Sequence, residues 1–416
     1  MALQMIRLTK CLTISGLCIK THLAPLQSAF ISGRELRDRR FPRPPPFPYK
    51  DKRLSRLRAW LENPVKWFDE NTKLIVVEGS IGAGKSDFAK KLAAELEMHH
   101  MPEATVDMIY INKYGHDLRK LDSQLPLDVQ SFDVKDFYKN PKSRLSNKFQ
   151  VYMYYSRFEQ YIDALAHLFN TGQGVVMERC VYSDIVFMET MAKFNYLAPS
   201  VRDYYNILRK NTLPDLLRPH LVIYLDSPVD VLMDRIKKRA IVRFQFENFI
   251  YDYINMNYFS PNFNDYETKS SVITPDYLKT LETEYKEYLK TISQHSELLF
   301  YDWSKYGDID IVIEDIERID FDNYDKYDTK MTDWLLFNYW DYVKLRFDYT
   351  TKKNDLLNKM TMIPQWNAPE LLPETENIHK WRELWDNFPG SKYEYGYNPD
   401  QGDNVWFKIK KMPRED

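Results

Sequence analysis

Four consecutive apolar residues, Leu74-Ile75-Val76-Val77, run almost directly into Gly79-Ser80-Ile81-Gly82-Ala83-Gly84-Lys85-Ser86. This is a complete G-x-x-x-x-G-K-[ST] loop between a buried strand and a helix, and it commits the chain to an α/β fold. The glycines let the backbone turn its N–H groups toward phosphate oxygens, and the helix that follows adds the positive end of its dipole. Lys85 is expected to reach the outer phosphates and Ser86 to hold magnesium. Phe88, Leu92 and Leu96 recur at helical spacing, which predicts a helix from Lys85 to about Met98. Asp87 adds a carboxylate to the first turn, where it suits the dipole but lies close to any bound anion.

The chain continues in the same alternating manner. Val175-Val176-Met177 reads as a strand ending at Glu178-Arg179, Leu221 to Leu225 as a third strand, and Leu298 to Tyr301 as a fourth. Helical patterns cover about 146–171, 183–194, 229–239 and 275–295. Strands separated by helices imply a parallel sheet flanked by helices, with sites gathered at the strand C-terminal ends. Gln150 and Arg157 are seven apart, so two helical turns place them on one face, about 10 Å apart along the axis. Both can point into one pocket.

Composition excludes several classes. With 58 Lys and Arg against 60 Asp and Glu there is no basic excess to neutralise a nucleic-acid backbone. No apolar run reaches the roughly 18–20 residues of a membrane span. Three cysteines, Cys11, Cys18 and Cys180, supply neither a disulfide framework nor an iron–sulfur site. No G-x-G-x-x-G follows a strand to suggest a flavin or nicotinamide dinucleotide.

From Met1 to Gly33 there is no Asp or Glu, while Arg7, Lys10 and Lys20 are spread among hydroxyl and apolar residues. That composition predicts a mitochondrial transit peptide over 1–34. A Pro-rich arm follows over 35–72, with prolines at 42, 44, 45, 46 and 48. It is expected to be extended, and to link or to dock along a neighbour through Phe41, Phe47 and Tyr49.

From about Lys73 to His295 the sequence resembles the deoxynucleoside kinase family. Pro102-Glu103 is similar to its P-E-P segment, whose Glu is the general base toward the sugar 5′-hydroxyl; Ala104 replaces the second proline. Phe149-Gln150 resembles the pair that reads the base, and Arg157 falls where purine and deoxycytidine kinases carry a base-contacting Arg. Glu178-Arg179-Cys180 and Tyr182-Ser183-Asp184 resemble E-R-S and Y-S-D. The resemblance implies that Glu178 and Arg179 line the reacting phosphate and that Asp184 helps to read the base. It also implies a P-loop fold over 73–320 and a purine nucleotide (ATP, ADP or a deoxynucleotide) with magnesium.

The resemblance breaks at the lid. Arg235, Lys237 and Arg239 begin the family's Arg-rich lid, after which residues 240–272 form a long insertion without the family's paired glutamates. Phosphoryl transfer rests on positioning and charge stabilisation, so missing lid donors remove catalysis more than binding. Beyond residue 321 the chain adds Trp334, Trp340, Trp366, Trp381, Trp385 and Trp406 in a C-terminal extension over 321–416. This combination resembles the deoxynucleoside-kinase-like accessory subunits of mitochondrial NADH:ubiquinone oxidoreductase, respiratory complex I. Its marks are Thr171-Gly172-Gln173-Gly174, Pro219-His220-Leu221 and the tail Pro389-Gly390-Ser391-Lys392-Tyr393.

The expected function is then a non-catalytic subunit that supports assembly or stability. Its expected partners are other complex I subunits of the membrane arm, and its place is the matrix face of the inner membrane. FAD is recorded for that family, and the sequence supports it less well than a purine nucleotide. The alternative is a working mitochondrial deoxynucleoside kinase.

Overall fold

The computed structural model describes residues 31–32, 47–50, 52, 54–239, 270–336, 338–393 and 395–403. Most of the transit segment 1–34, residues 240–269 of the insertion, and Trp406 lie outside them. Five strands form one parallel sheet in the order β2-β3-β1-β4-β5: β1 (Leu74–Gly79), β2 (His99–Met101), β3 (Val175–Glu178), β4 (Leu221–Asp226) and β5 (Glu297–Asp302). β1 is central, with Ile75 beside Val176 of β3 and Leu221 of β4.

Strand alternation explains why the sheet is covered twice. Leu74 and Val76 face one apolar cluster, while Ile75 and Val77 face another. Helices α1 (Lys85–Glu95) and α7 (Ile309–Glu317) cover the second face with Phe88, Leu92, Val312 and Ile316. The first face carries α2 (Leu145–Thr171), α3 (Asp184–Lys193), α4 (Pro199–Thr212) and α6 (Pro275–Ile292). Helix α5 spans 229–239 and leads to the insertion.

The long helix α2 stops where its sequence changes character. Gly172 caps it at φ +67 and donates its N–H to Leu168 O at 2.9 Å. A Cβ at that position would stand 2.2 Å from Trp67 O, so both backbone conformation and space demand glycine.

The C-terminal extension winds back over this body. α8 (Tyr339–Thr351) begins with a capping box of Asn338 and Asp341 and packs along α2. α9 (Lys353–Thr361) lies against α4, and α10 (Thr375–Asp386) follows. Arg346, fully buried, bonds Asn170 Oδ1 at 2.9 Å and Glu62 at 2.6 Å. Trp334 stacks on Phe169 and donates to Arg218 O at 2.8 Å, so its ring closes the chain's own core. Trp340 and Trp366 are the exposed ones. The Pro-rich arm likewise seats on its own chain: Phe47 packs with Leu54, Ala59 and Phe347, and Tyr49 bonds His167 at 2.7 Å.

Candidate functional site

At the C-terminal end of β1 the phosphate loop turns into α1 through Gly84, which sits at φ +87 as the helix N-cap. A Cβ there would come within 2.7 Å of the Tyr306 ring, so the position takes glycine for two reasons. Ile81, Gly82, Gly84, Lys85 and Ser86 line a cavity of about 1380 Å³. Ser80 and Ala83 are buried behind it. The Lys85 ammonium donates to Ser80 O at 2.8 Å. Burial, reinforced by the like charge of Arg179, pulls its pKa down to about 7.

The opposite wall begins at the end of β3. Arg179, one residue past β3 at φ 56, falls on the same side of the sheet as Val175 and Met177 and points its guanidinium into the cavity. There it forms an ion pair with Glu103 and bonds the Tyr285 hydroxyl at 3.1 Å. Arg157 reaches Glu103 at 3.3 Å and pairs with Asp184. Both guanidiniums lie over the Phe187 ring, 4.8 and 4.9 Å from its centroid. Burial raises the Glu103 carboxyl, but Arg179, Lys85 and Arg157 outweigh it and hold the pKa at about 2.

Gln150 and Arg157 do share one pocket, as their spacing predicts. Asp184 and Glu178 do not reach its wall. Asp184, fully buried, accepts from Gln150 at 2.9 Å and from Arg157 and Tyr205, so it orients the pocket residues from behind. Glu178 accepts from the Ser86 hydroxyl and lies 2.9 Å from His100 Nε2. Ser86 therefore stands at the cavity with a carboxylate at its back, which is the donor set a phosphate-bound magnesium would meet. Among the described residues no group of three His, Cys, Asp or Glu side chains is placed to bind a metal by itself.

Arg235 and Arg239 also line the cavity. Arg235 is already engaged: its guanidinium donates to Trp303 O at 2.7 Å and to Ala83 O at 3.3 Å, and it lies 4.3 Å over the Tyr306 ring. Phe137 and Phe149 stack with centroids 5.6 Å apart and make the far wall flat and apolar. Sequence reasoning passed over His100, Tyr205, Tyr285, Phe187 and Tyr306. None sits in a spacing pattern with the others, and only the sheet brings them together.

A family model described as deoxynucleoside kinase matches residues 75–268. The chain is 36% identical over 358 residues to the mitochondrial NADH dehydrogenase (ubiquinone) 1 alpha subcomplex subunit 10 of Bos taurus, covering 83% of this chain and 90% of that one. The same subunit of Mus musculus is 35% identical over 83% of this chain and 87% of its own. A solved deoxyadenosine kinase of M. mycoides with its products bound is 22% identical, with a TM-score of 0.39, covering 58% of this chain and 96% of that one. On that identity and coverage, the chain belongs to the NADH dehydrogenase (ubiquinone) 1 alpha subcomplex subunit 10 family, which shares the deoxynucleoside kinase framework.

Proposed function

We propose that this protein is a non-catalytic accessory subunit of mitochondrial complex I, and that a purine nucleotide with magnesium fills its kinase-like cavity to stabilise it. The membership and the mitochondrial setting rest on relatives that carry that subunit's name over most of their length. The matrix side and the membrane arm are the finer part of the reading. They are carried over from the subunits that the sequence resembles, and the acid-free N-terminus suits import into the matrix.

The observation that carries the non-catalytic reading is the Glu103–Arg179 ion pair. A general base works best with a pKa near the working pH, and a carboxylate held at about 2 by two guanidiniums and an ammonium is a weak one. Binding is better served. Lys85, Arg179 and Arg239 offer positive charge at the phosphate end, Ser86 offers a magnesium ligand, and Gln150 with the Phe137–Phe149 wall offers a base slot. A flavin dinucleotide has no comparable match in these side chains.

The test is native mass determination of the purified complex with identification of the released nucleotide, paired with a kinase assay. A purine nucleotide at near one per chain, with no phosphorylation of any deoxynucleoside, is expected. The convergence of Gln150, Arg157 and Glu103 on one cavity favours the kinase alternative. Phosphorylation that disappears in Glu103→Gln would put that alternative in its place.

A further inference from the structure

A second cavity, of about 150 Å³, lies at the N-terminal edge of the sheet, the end opposite the phosphate loop. It opens where the extension folds back on the kinase-like body, between Lys73 and His220 on one side and Phe321, Met331 and Trp334 on the other. Lys73 immediately precedes β1 and is 5% exposed. Among the described residues, no oxygen lies within hydrogen-bond or ion-pair reach of its ammonium, whose recorded neighbour is the Phe321 ring at 5.9 Å. Asp322, Asp69 and Glu70 act on it only from beyond contact.

An ammonium on a side chain this buried is costly, because it has given up much of its water without an anion in contact. His220 supplies a second donor at the same place. Its Nδ1 accepts the Leu74 N–H at 3.0 Å, which fixes the proton of the neutral ring on Nε2. Burial, with Lys73 beside it, keeps that imidazole neutral, its pKa pushed well below the ordinary value. The Trp334 ring lies 3.8 Å from the His220 centroid and holds it in place.

We propose that this cavity is a second ligand site, taking a small monocarboxylate whose charged end meets Lys73 and His220 and whose short apolar body lies against Leu168, Phe321 and Met331. A single cation sets the charge at one, since His220 is neutral and Asp322 repels a second negative charge. The volume sets the size: about 150 Å³ holds a molecule of roughly six non-hydrogen atoms, which would displace any water there.

Butyrate is the probe, with 1-butanol and butylamine as controls of equal bulk, added to the full chain in thermal melts. Butyrate should raise the melting temperature saturably by about 2 °C or more, and neither control should. Lys73→Met keeps the stem and removes the charge. It should melt higher than the parent without ligand and lose the butyrate response.

Leu336→Trp narrows the cavity while leaving Lys73 untouched, and it too should abolish the response. The site is refuted if butyrate does no more than 1-butanol, as for a cavity holding only water. It is equally refuted if the response survives both variants. A Lys73→Met chain that melts lower or does not fold would show that the ammonium is a structural group, and would overturn the proposal unless Leu336→Trp, still folded, removes a butyrate shift seen in the parent.

Discussion

Gln150 Nε2 donates to Asp184 Oδ2 at 2.9 Å, joining the inner face of α2 to the first turn of α3. Asp184 also accepts from Arg157 and Tyr205, so three side chains share one buried carboxylate. The groups that face the cavity near the Phe137–Phe149 wall are thus fixed by a residue that does not line it. With its amide nitrogen engaged, Gln150 keeps its amide oxygen to offer as an acceptor.

Asp184→Asn should therefore act on stability and on binding together. It leaves Arg157 buried with Glu103, at 3.3 Å, as its one remaining charged partner, and breaking a buried pair by removing one charge costs on the order of 3 kcal/mol or more. A fall in melting temperature with weakened nucleotide binding is expected. Equal melting in the variant and the parent would show that Tyr205 and Gln150 hold the pocket without the charge.

Lys85 links binding to protons. In the free protein burial holds its pKa down to about 7, so it can release its proton near neutral pH. Phosphates arriving at the loop restore it, and binding then takes up a proton. Nucleotide affinity should be greatest below pH 7 and fall above it, approaching tenfold per pH unit. Calorimetry in buffers of different ionisation enthalpy reads the proton directly. A flat affinity from pH 6 to 8.5 would contradict the placement of the ammonium against its burial.

Much of this site is legible in the chain before it folds. The loop motif, the strand before it and the seven-residue step from Gln150 to Arg157 each carry their geometry in their spacing. Glu178 misleads because neighbouring strand residues face opposite ways: Val175 and Met177 lie on the cavity's side of the sheet with Arg179, while Glu178 falls with Val176 on the other, beside Ser86 and His100. β2 is three residues, His99–Met101, too short for alternation to register. α4 does carry a signal, Pro199 at the first turn and Val201, Tyr204, Tyr205 and Leu208 on one face. The extension reads as polar and aromatic filler because its anchor into α2 is an arginine, which composition assigns to the surface.

Glu78, at the end of β1 just before the phosphate loop, offers a stability test to be run without nucleotide. Burial lifts its pKa from 4.5 to about 7, against the bond from Ser183 and the charges of Arg179, Arg157 and Lys85. The folded protein keeps a proton that the unfolded chain releases. The contribution is full below pH 4.5 and is lost as pH rises through 7. Glu78→Gln removes this titration, so the stability of the parent relative to the variant should decline between pH 4.5 and 7, by up to about 1.4 kcal/mol per unit. Denaturant midpoints at half-unit steps measure it. Parallel profiles for the two proteins would mean that Glu78 is ionised throughout.

Arg346→Met asks whether the extension is part of one cooperative structure. The guanidinium is fully buried between Asn170 of α2 and Glu62 of the segment before β1, and it lies 5.7 Å over the Trp67 ring. Three stretches of chain far apart in sequence meet at it. Methionine keeps much of the stem volume but leaves the Asn170 oxygen without its donor and Glu62 with Arg58 alone. Glu62 is partly open to water and recovers some solvation, so the loss is expected at about 2–4 kcal/mol, near the lower end for a broken buried pair. The melt should shift downward as one transition, with the first-turn helix Arg56–Leu61 and α8 losing amide protection together with α2. Two separated transitions, with α2 protected after α8 has opened, would show instead that the extension is an independently melting strap.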